Sequence, residues 1–223
     1  MLFVVIFFGV CSAQASNIIN IGIITDGPME QAGWSPELFE DELLNLTKGD
    51  FDIRFPEKKQ LNGGWSVSQI KSVFQQLQND PEVDMVLTLG YISSSLAGLS
   101  KSLPKPTFAP FVMDAELLGL PRMGNSSGVE NLNYLTGDAD FVRDLKTFLS
   151  VAAFSNVVTL IDKSHFDAQP ELIQRAREVA AAGGVELRFV LHTSPDEDLA
   201  AKLPEDTGAV VVTSMPRLNN AGM

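Results

Sequence analysis

Cysteine and histidine are scarce in this 223-residue chain, which has one cysteine, Cys11, and two histidines. A zinc site built from clusters of these residues is therefore excluded, and we expect no bound metal. Loss of the N-terminal segment described below would also remove or consume the only cysteine. The fold must then rest on its hydrophobic core and not on disulfides, which a chain of this size permits.

Positive charge is also in short supply. The chain has 16 Lys and Arg residues against 28 Asp and Glu residues, which gives a formal net charge of -12. Such a balance argues against nucleic acid and against anionic membrane surfaces as partners. We therefore expect a protein that does not bind nucleic acid.

Sequence signatures of common enzymes and cofactor sites are missing as well. The chain contains no G-x-S-x-G, no G-x-x-x-x-G-K-[ST] and no G-x-G-x-x-G, so no nucleotide or other cofactor is expected. Ser164, His165 and Asp167 are close neighbours in sequence, which is typical of a polar loop and not of a spatially assembled triad. An exported α/β hydrolase is kept only as a weak alternative.

The N-terminus has the pattern of an export signal. "LFVVIFFGV" is an apolar run too short to cross a bilayer comfortably, and Ala13 and Ala15 form an A-x-A cleavage site. We interpret residues 1–15 as a signal peptide and expect a soluble periplasmic protein that begins at Ser16. No Lys or Arg precedes the run. The alternative is a lipoprotein acylated at Cys11, although "FGV" is a poor sequence before a lipid-modified cysteine.

Strands and helices alternate along the rest of the chain. Apolar runs bounded by turn residues predict strands, and helical spacing with N-caps and glycine stops predicts helices. The predicted strands are 19–25, 51–55, 84–89, 106–112, 156–162, 185–191 and 208–214. The predicted helices are 35–49, 66–80, 93–103, 138–151, 170–184 and 195–203. This alternation predicts an α/β fold with parallel sheets and right-handed crossovers.

The two halves of the chain share one order of elements. Asp26 and Asp162 directly follow the first strand of each half, while Gly90 and Ser214 end the third. We therefore predict two Rossmann-like βαβ lobes, 16–126 and 127–223, with an extended crossing segment over 127–135. Two such lobes place their strand carboxyl ends around one cleft, where open α/β sheets bind ligands.

Two stretches carry a resemblance to a known family. "TLGYISSSLAGLSKSLPKPTFAPFVMDAELLGLP" (88–121) and "SGVENL" (127–132) resemble the ABC transporter substrate-binding family of type I periplasmic binding proteins. The resemblance extends over 18–215. It implies a monomeric periplasmic receptor that closes on a small polar ligand, by a hinge near Gly124–Gly128, and delivers it to a membrane ABC permease. A sensor lobe for a signalling partner is the alternative. The ligand stays open among amino acids (aromatic ones in particular), sugars and other small solutes.

The same resemblance implies that the second lobe is incomplete. Members of that family continue with further strands and return to the first lobe, whereas this chain ends soon after a predicted strand. We expect 16–223 alone to bind ligand poorly. An exposed strand edge at 210–213 is expected to favour aggregation.

Candidate ligand-binding residues cluster at "GYISSS" in the first lobe. Gly90 lets backbone N–H groups approach a ligand, and the following helix N-terminus favours a carboxylate. Ser93 and Ser94 add hydroxyl donors, and Tyr91 can stack on a ligand. The alternative is a plain strand–helix turn with a serine cap.

Further candidates follow other strands. Asp26 and Gly27 suit a ligand amine or hydroxyl, or else form a turn before Pro28. Asp114, beside Met113, suits a ligand ammonium, or else caps the next helix. The second-lobe candidates, for which solvated loops are the alternative, are Asp162, Ser164, Ser214 and Arg217.

Overall fold

The first lobe is built on a six-stranded parallel sheet. The computed structural model describes residues 18–28, 36–137, 140–194, 196–213 and 215. The strands of this sheet are β1 (Ile18–Thr25), β2 (Asp52–Arg54), β3 (Gln60–Asn62), β4 (Met85–Leu89), β5 (Thr107–Val112) and β6 (Leu132–Thr136). They run in the order β2-β1-β4-β5-β6, with β3 paired to the carboxyl half of β1. All of these pairings are parallel, which confirms the predicted α/β class.

Four helices accompany this sheet: α1 (Pro36–Leu46), α2 (Val67–Asn79), α3 (Tyr91–Gly98) and α4 (Ala115–Leu118). In α2, the Ser66 side chain caps the first turn by accepting the Gln69 N–H. Ile70, Phe74 and Leu77 form its buried stripe against the sheet. Helical spacing of apolar residues therefore positions α2, as the sequence predicts.

The second lobe has a three-stranded parallel sheet. It contains β7 (Asn156–Asp162), β8 (Glu186–His192) and β9 (Ala209–Val212) in the order β8-β7-β9. Its helices are α5 (Phe141–Val151), α6 (Lys163–Ala168) and α7 (Pro170–Ala182). Val210, Val211 and Val212 of β9 are exposed. The sheet is thus a partial second lobe.

The helix predicted over 195–203 is reduced to a single 3-10 turn, Ala200–Lys202. The Asp198 carboxylate accepts the Ala201 N–H at the start of this turn. Pro204 follows the turn closely and cannot continue a helix, so the helix stays one turn long.

The boundary between the lobes falls later than predicted. Strand β6 pairs with β5 in the first sheet, so the chain as far as Thr136 lies with the first lobe and not with the second. Gly124 and Gly128, both at positive φ, lie in the loop before β6. The predicted hinge at these glycines is therefore inside the first lobe, and the chain crosses to the second lobe between Thr136 and α5.

The predicted signal peptide, 1–15, and Cys11 within it lie outside the described residues. Within the part of the chain that the structure describes, every helix is too short or too polar to cross a membrane.

Candidate functional site

Polar residues lie at the carboxyl ends of the strands in both lobes. In the first sheet, β1 leads to Asp26, β4 to Gly90 and β5 to Met113. In the second, Asp162 and His192 are register partners at the ends of β7 and β8. The strand ends therefore bring together the residue types that the sequence predicted at such an edge.

Asp26 is bound to the first turn of α3. Its carboxylate is 2% exposed and accepts the backbone N–H groups of Ile92 at 2.7 Å and of Ser93 at 2.9 Å. From the sequence, these N-terminal donors are expected to bind a ligand carboxylate; in the structure both bind the chain's own Asp26 carboxylate. Asp26 therefore acts as an internal anion at the start of α3.

Gly90 makes this arrangement possible. A Cβ atom at Gly90 would lie 2.3 Å from the Asp26 Cγ and within 2.5 Å of both carboxylate oxygens. The φ angle of Gly90 is -179°, an extended conformation open to any residue. Glycine is required here for space and not for its backbone freedom.

Burial raises the pKa of the Asp26 carboxyl above its ordinary value of 3.8, while the two backbone N–H groups and His165 act in the opposite direction. With a raised folded-state pKa, the native state binds more protons than the unfolded state between the two pKa values. The contribution of Asp26 to the free energy of unfolding is therefore fully present below its pKa in the unfolded state. It is lost as the pH rises through its pKa in the folded state.

A pH titration of stability tests this sign. The free energy of unfolding of the wild type minus that of Asp26→Asn is expected to fall as pH rises from about 4 toward neutrality. Chemical denaturation at several pH values measures it, and the subtraction removes the contributions of the other carboxyl groups. A difference that is flat or rises with pH would contradict the raised pKa.

Ser93 and Ser94 are fully buried within the first lobe. The Ser93 hydroxyl donates to the Gly90 carbonyl at 3.3 Å. The Ser94 hydroxyl lies 3.0 Å from the Thr88 hydroxyl and accepts the Phe111 N–H at 3.3 Å. These contacts hold α3 against β4 and β5, and both hydroxyls have partners inside the lobe.

Tyr91 is half-buried and lies between the lobes. Its ring meets Phe111 edge-on, with centroids 5.8 Å apart, and meets His165 of the second lobe in the same way at 5.7 Å. The sequence predicts a polar loop at His165, whereas in the structure His165 lies in α6 and is only 6% exposed. Its position three residues after the end of β7 is the one signal that could have identified it.

Gly27 lies beneath Trp65. A Cβ at Gly27 would lie 2.2 Å from the indole ring, and the backbone N–H of Trp65 donates to the Asp26 carbonyl at 2.8 Å. Trp65 adopts a φ of 58°, a strained conformation for an aromatic residue that surrounding contacts must hold. The Trp65 ring packs over Gly27 at the strand edge.

Asp114 joins the two lobes through backbone groups. Its carboxylate accepts the Leu117 N–H at 2.8 Å, capping α4, and the Phe141 N–H at 3.2 Å, at the start of α5. The predicted helix cap is thus present, and one oxygen also meets the second lobe. Met113 beside it is half-buried.

Asp162 occupies the corresponding edge of the second lobe and is fully buried. It accepts the Ser164 N–H at 2.8 Å and the Ser164 hydroxyl at 2.6 Å. Its second oxygen lies 3.5 Å from Nδ1 of His192, which is also fully buried. His192 is not among the residues predicted from the sequence, because the predicted strand ends one residue earlier than β8 does. Ser214 and Arg217 lie outside the described residues.

The described residues contain no group of three or more His, Cys, Asp or Glu side chains arranged to hold a metal ion. The buried carboxylate of each lobe fixes the backbone at its strand ends, and Tyr91 faces His165 across the lobes. Ring surface beside a fixed backbone is a means of holding a small molecule.

Comparison with known proteins identifies the fold of this chain through solved structures and not through sequence. No protein-family model matches the sequence, and a search among curated proteins gives no significant match. A solved structure from Streptococcus pneumonia, described as an ABC domain in complex with L-Trp, is similar with a TM-score of 0.60 and 15% identity over 89% of this chain. An ABC transporter solute-binding protein from R. palustris in complex with benzoate has a TM-score of 0.54 and 14% identity over 83% of this chain.

This chain therefore has the fold of ABC transporter solute-binding proteins, the type I periplasmic binding fold, as the sequence resemblance predicted. It spans 65% of the length of the first of these structures and 51% of the second.

Proposed function

We propose that this chain binds a small organic solute between its two lobes, as the extracytoplasmic solute-binding component of an ABC transporter. The observation that carries the proposal is the ring contact between Tyr91 of the first lobe and His165 of the second, at the carboxyl ends of their sheets. A ligand beside this ring pair contacts both lobes at once, which is how occupancy is coupled to closure.

The chemistry of the edge favours a solute with an apolar or planar part and a few hydrogen-bonding groups. Tyr91, Phe111 and Trp65 supply ring surface close to the strand ends. Asp114 and Met113 follow β5, and we propose them as a charged and an apolar contact. Asp26, Gly27 and Gly90 support the edge from inside the first lobe, because Asp26 is bound to α3 and Trp65 covers Gly27. In the second lobe, Asp162 and Ser164 bind each other and support His165, and we keep Ser214 and Arg217 as proposed contacts.

The proposal also covers location, partner and oligomeric state. The N-terminal segment directs export to the periplasm. The protein works as a monomer, and its partner is a membrane ABC permease. It is a binding protein and not an enzyme, since the buried carboxylates at the edge are tied to backbone N–H and serine groups of the chain itself. Chemical turnover of a bound solute would contradict this.

Replacement of Tyr91 tests the proposed cleft. Tyr91→Leu is expected to weaken solute binding roughly three- to tenfold, because an aromatic contact contributes about 0.5–1.5 kcal/mol beyond its buried area. The solute is first identified by native mass spectrometry, and its affinity is then measured by isothermal titration calorimetry.

Tyr134→Leu is the matched control. Tyr134 lies on β6 and donates its hydroxyl to the Pro121 carbonyl at 3.1 Å, away from the strand ends. It is expected to leave affinity unchanged. Equal losses in the two variants, or no loss at Tyr91→Leu, would place the solute elsewhere.

A further inference from the structure

The two lobes also contact each other directly, one helical turn behind the ring pair. Helices α3 and α4 of the first lobe meet helices α6 and α7 of the second. We call this contact the lobe junction. It consists of Ser95, Leu117, Gln169, Leu172 and Arg175.

A buried hydrogen bond forms the centre of the lobe junction. Gln169, at the corner between α6 and α7, donates its Nε2 to the Ser95 hydroxyl of α3 at 2.7 Å. Ser95 is 2% exposed and Gln169 is 4% exposed. A polar pair this deeply buried is costly unless it is satisfied, so the bond ties the corner to α3.

A second polar contact joins α4 to α7. Arg175 donates from Nη1 to the Leu117 carbonyl at 2.8 Å. A Cβ at Gly119, which caps α4 with a φ of 66°, would lie 2.3 Å from that same Nη1 atom. The end of α4 is thus shaped to admit the guanidinium group.

Apolar side chains cross the lobe junction in both directions. Ala168 and Leu172 of the second lobe pack against the main core cluster of the first. Leu117 of the first lobe packs against the core cluster that contains Leu145 and Val157 of the second. Separating the lobes here would expose apolar surface of both cores to water, which is unfavourable.

We propose that the lobe junction stays closed while the cleft opens, so that the lobes pivot about it, and that Gln169 is the positioning residue that keeps His165 against Tyr91. The inference deepens the proposed function, since it concerns how the cleft opens. The pivot then lies at the junction, and the loop containing Gly124 and Gly128 moves with the first lobe.

Hydrogen exchange measured by mass spectrometry on the chain without added solute tests the proposal. Gln169→Ala leaves the Ser95 hydroxyl buried without its donor. It is expected to speed amide exchange in α3, within the other lobe, roughly tenfold. Ser95→Ala is expected to have the reciprocal effect on the first turns of α7. The double variant is expected to change less than the two single effects combined.

Gln174→Ala is the matched control, because it removes the same side chain from an exposed position on α7, where Gln174 donates to Glu178 at 2.9 Å. It is expected to leave exchange in α3 unchanged. Exchange in β8 reports general destabilisation and should not change in any variant. If faster exchange in Gln169→Ala were confined to α6 and α7, the proposal that the lobe junction stays closed would be overturned.

This outcome is independent of the solute. If Gln169→Ala left exchange in α3 unchanged while Tyr91→Leu still weakened solute binding, only the proposal on the lobe junction would be rejected. If Gln169→Ala sped exchange in α3 but the chain bound no solute, only the proposed function would be rejected.

Discussion

Gly90→Ala is expected to destabilise the protein by about 2–4 kcal/mol and to abolish solute binding, because the added methyl group has no space. It would lie 2.3 Å from the Asp26 carboxyl carbon. That carboxylate is fixed by the N–H groups of Ile92 and Ser93, so it cannot move aside without losing both bonds. Either the cap breaks or β4 shifts against β1, and both outcomes displace Tyr91.

Denaturant unfolding and calorimetry measure the two effects, with Gly183→Ala as control. Gly183 has an ordinary φ of -81°, and a Cβ there would approach no atom closer than 3.3 Å. We expect that variant to stay within about 0.5 kcal/mol of the wild type. If Gly90→Ala lowered the free energy of unfolding as little as Gly183→Ala, Asp26 would not pack against Gly90 as described.

Asp26→Ala is expected to cost about 2–4 kcal/mol at neutral pH, because it leaves two buried backbone N–H groups without an acceptor. The matched control is Asp140→Ala. Asp140 makes the same kind of cap at the start of α5, where its carboxylate accepts the Arg143 N–H at 2.8 Å at an exposed position. There the loss is expected to be about 1 kcal/mol.

Chemical rescue sharpens the Asp26 prediction. Formate can replace the missing carboxylate at the start of α3, so added formate should raise the melting temperature of Asp26→Ala more than that of the wild type or of Asp140→Ala. Equal responses in the three proteins would show that the α3 N-terminus is not an anion site. Only the predicted loss of stability in Asp26→Ala would then remain.

The fold was largely readable from the sequence because its signals are local. Apolar runs with turn residues at their ends located β1, β4 and β7 to within one residue of their observed bounds. The elements that were missed, β3 and α6, are short and carry little periodicity, and α4 was foreseen only through Asp114 as a possible helix cap. Strand β6 was assigned to the crossing segment because its pairing with β5 is a tertiary contact that no local pattern specifies.

The candidate site was predictable in position but not in its internal contacts. Strand ends correctly indicated where Asp26 and Gly90 lie, since parallel strands share one edge. That the Asp26 carboxylate would fill the α3 N-terminus depends on a contact 66 residues away. The contact between the Tyr91 and His165 rings likewise depends on how the lobes dock, so it could not be predicted from periodicity or composition.

Native mass spectrometry of the protein purified without denaturation tests the central claim most directly. We predict a small organic molecule bound with one-to-one stoichiometry, released on unfolding and chemically unchanged after incubation. Such a complex would overturn the expectation, drawn from the family resemblance, that 16–223 alone binds ligand poorly. Retention of the bound molecule should fall in Tyr91→Leu and stay the same in Tyr134→Leu. A protein that carries no solute, and whose melting temperature no amino acid, aromatic acid or sugar raises, would contradict the account, as would a bound molecule converted to a product.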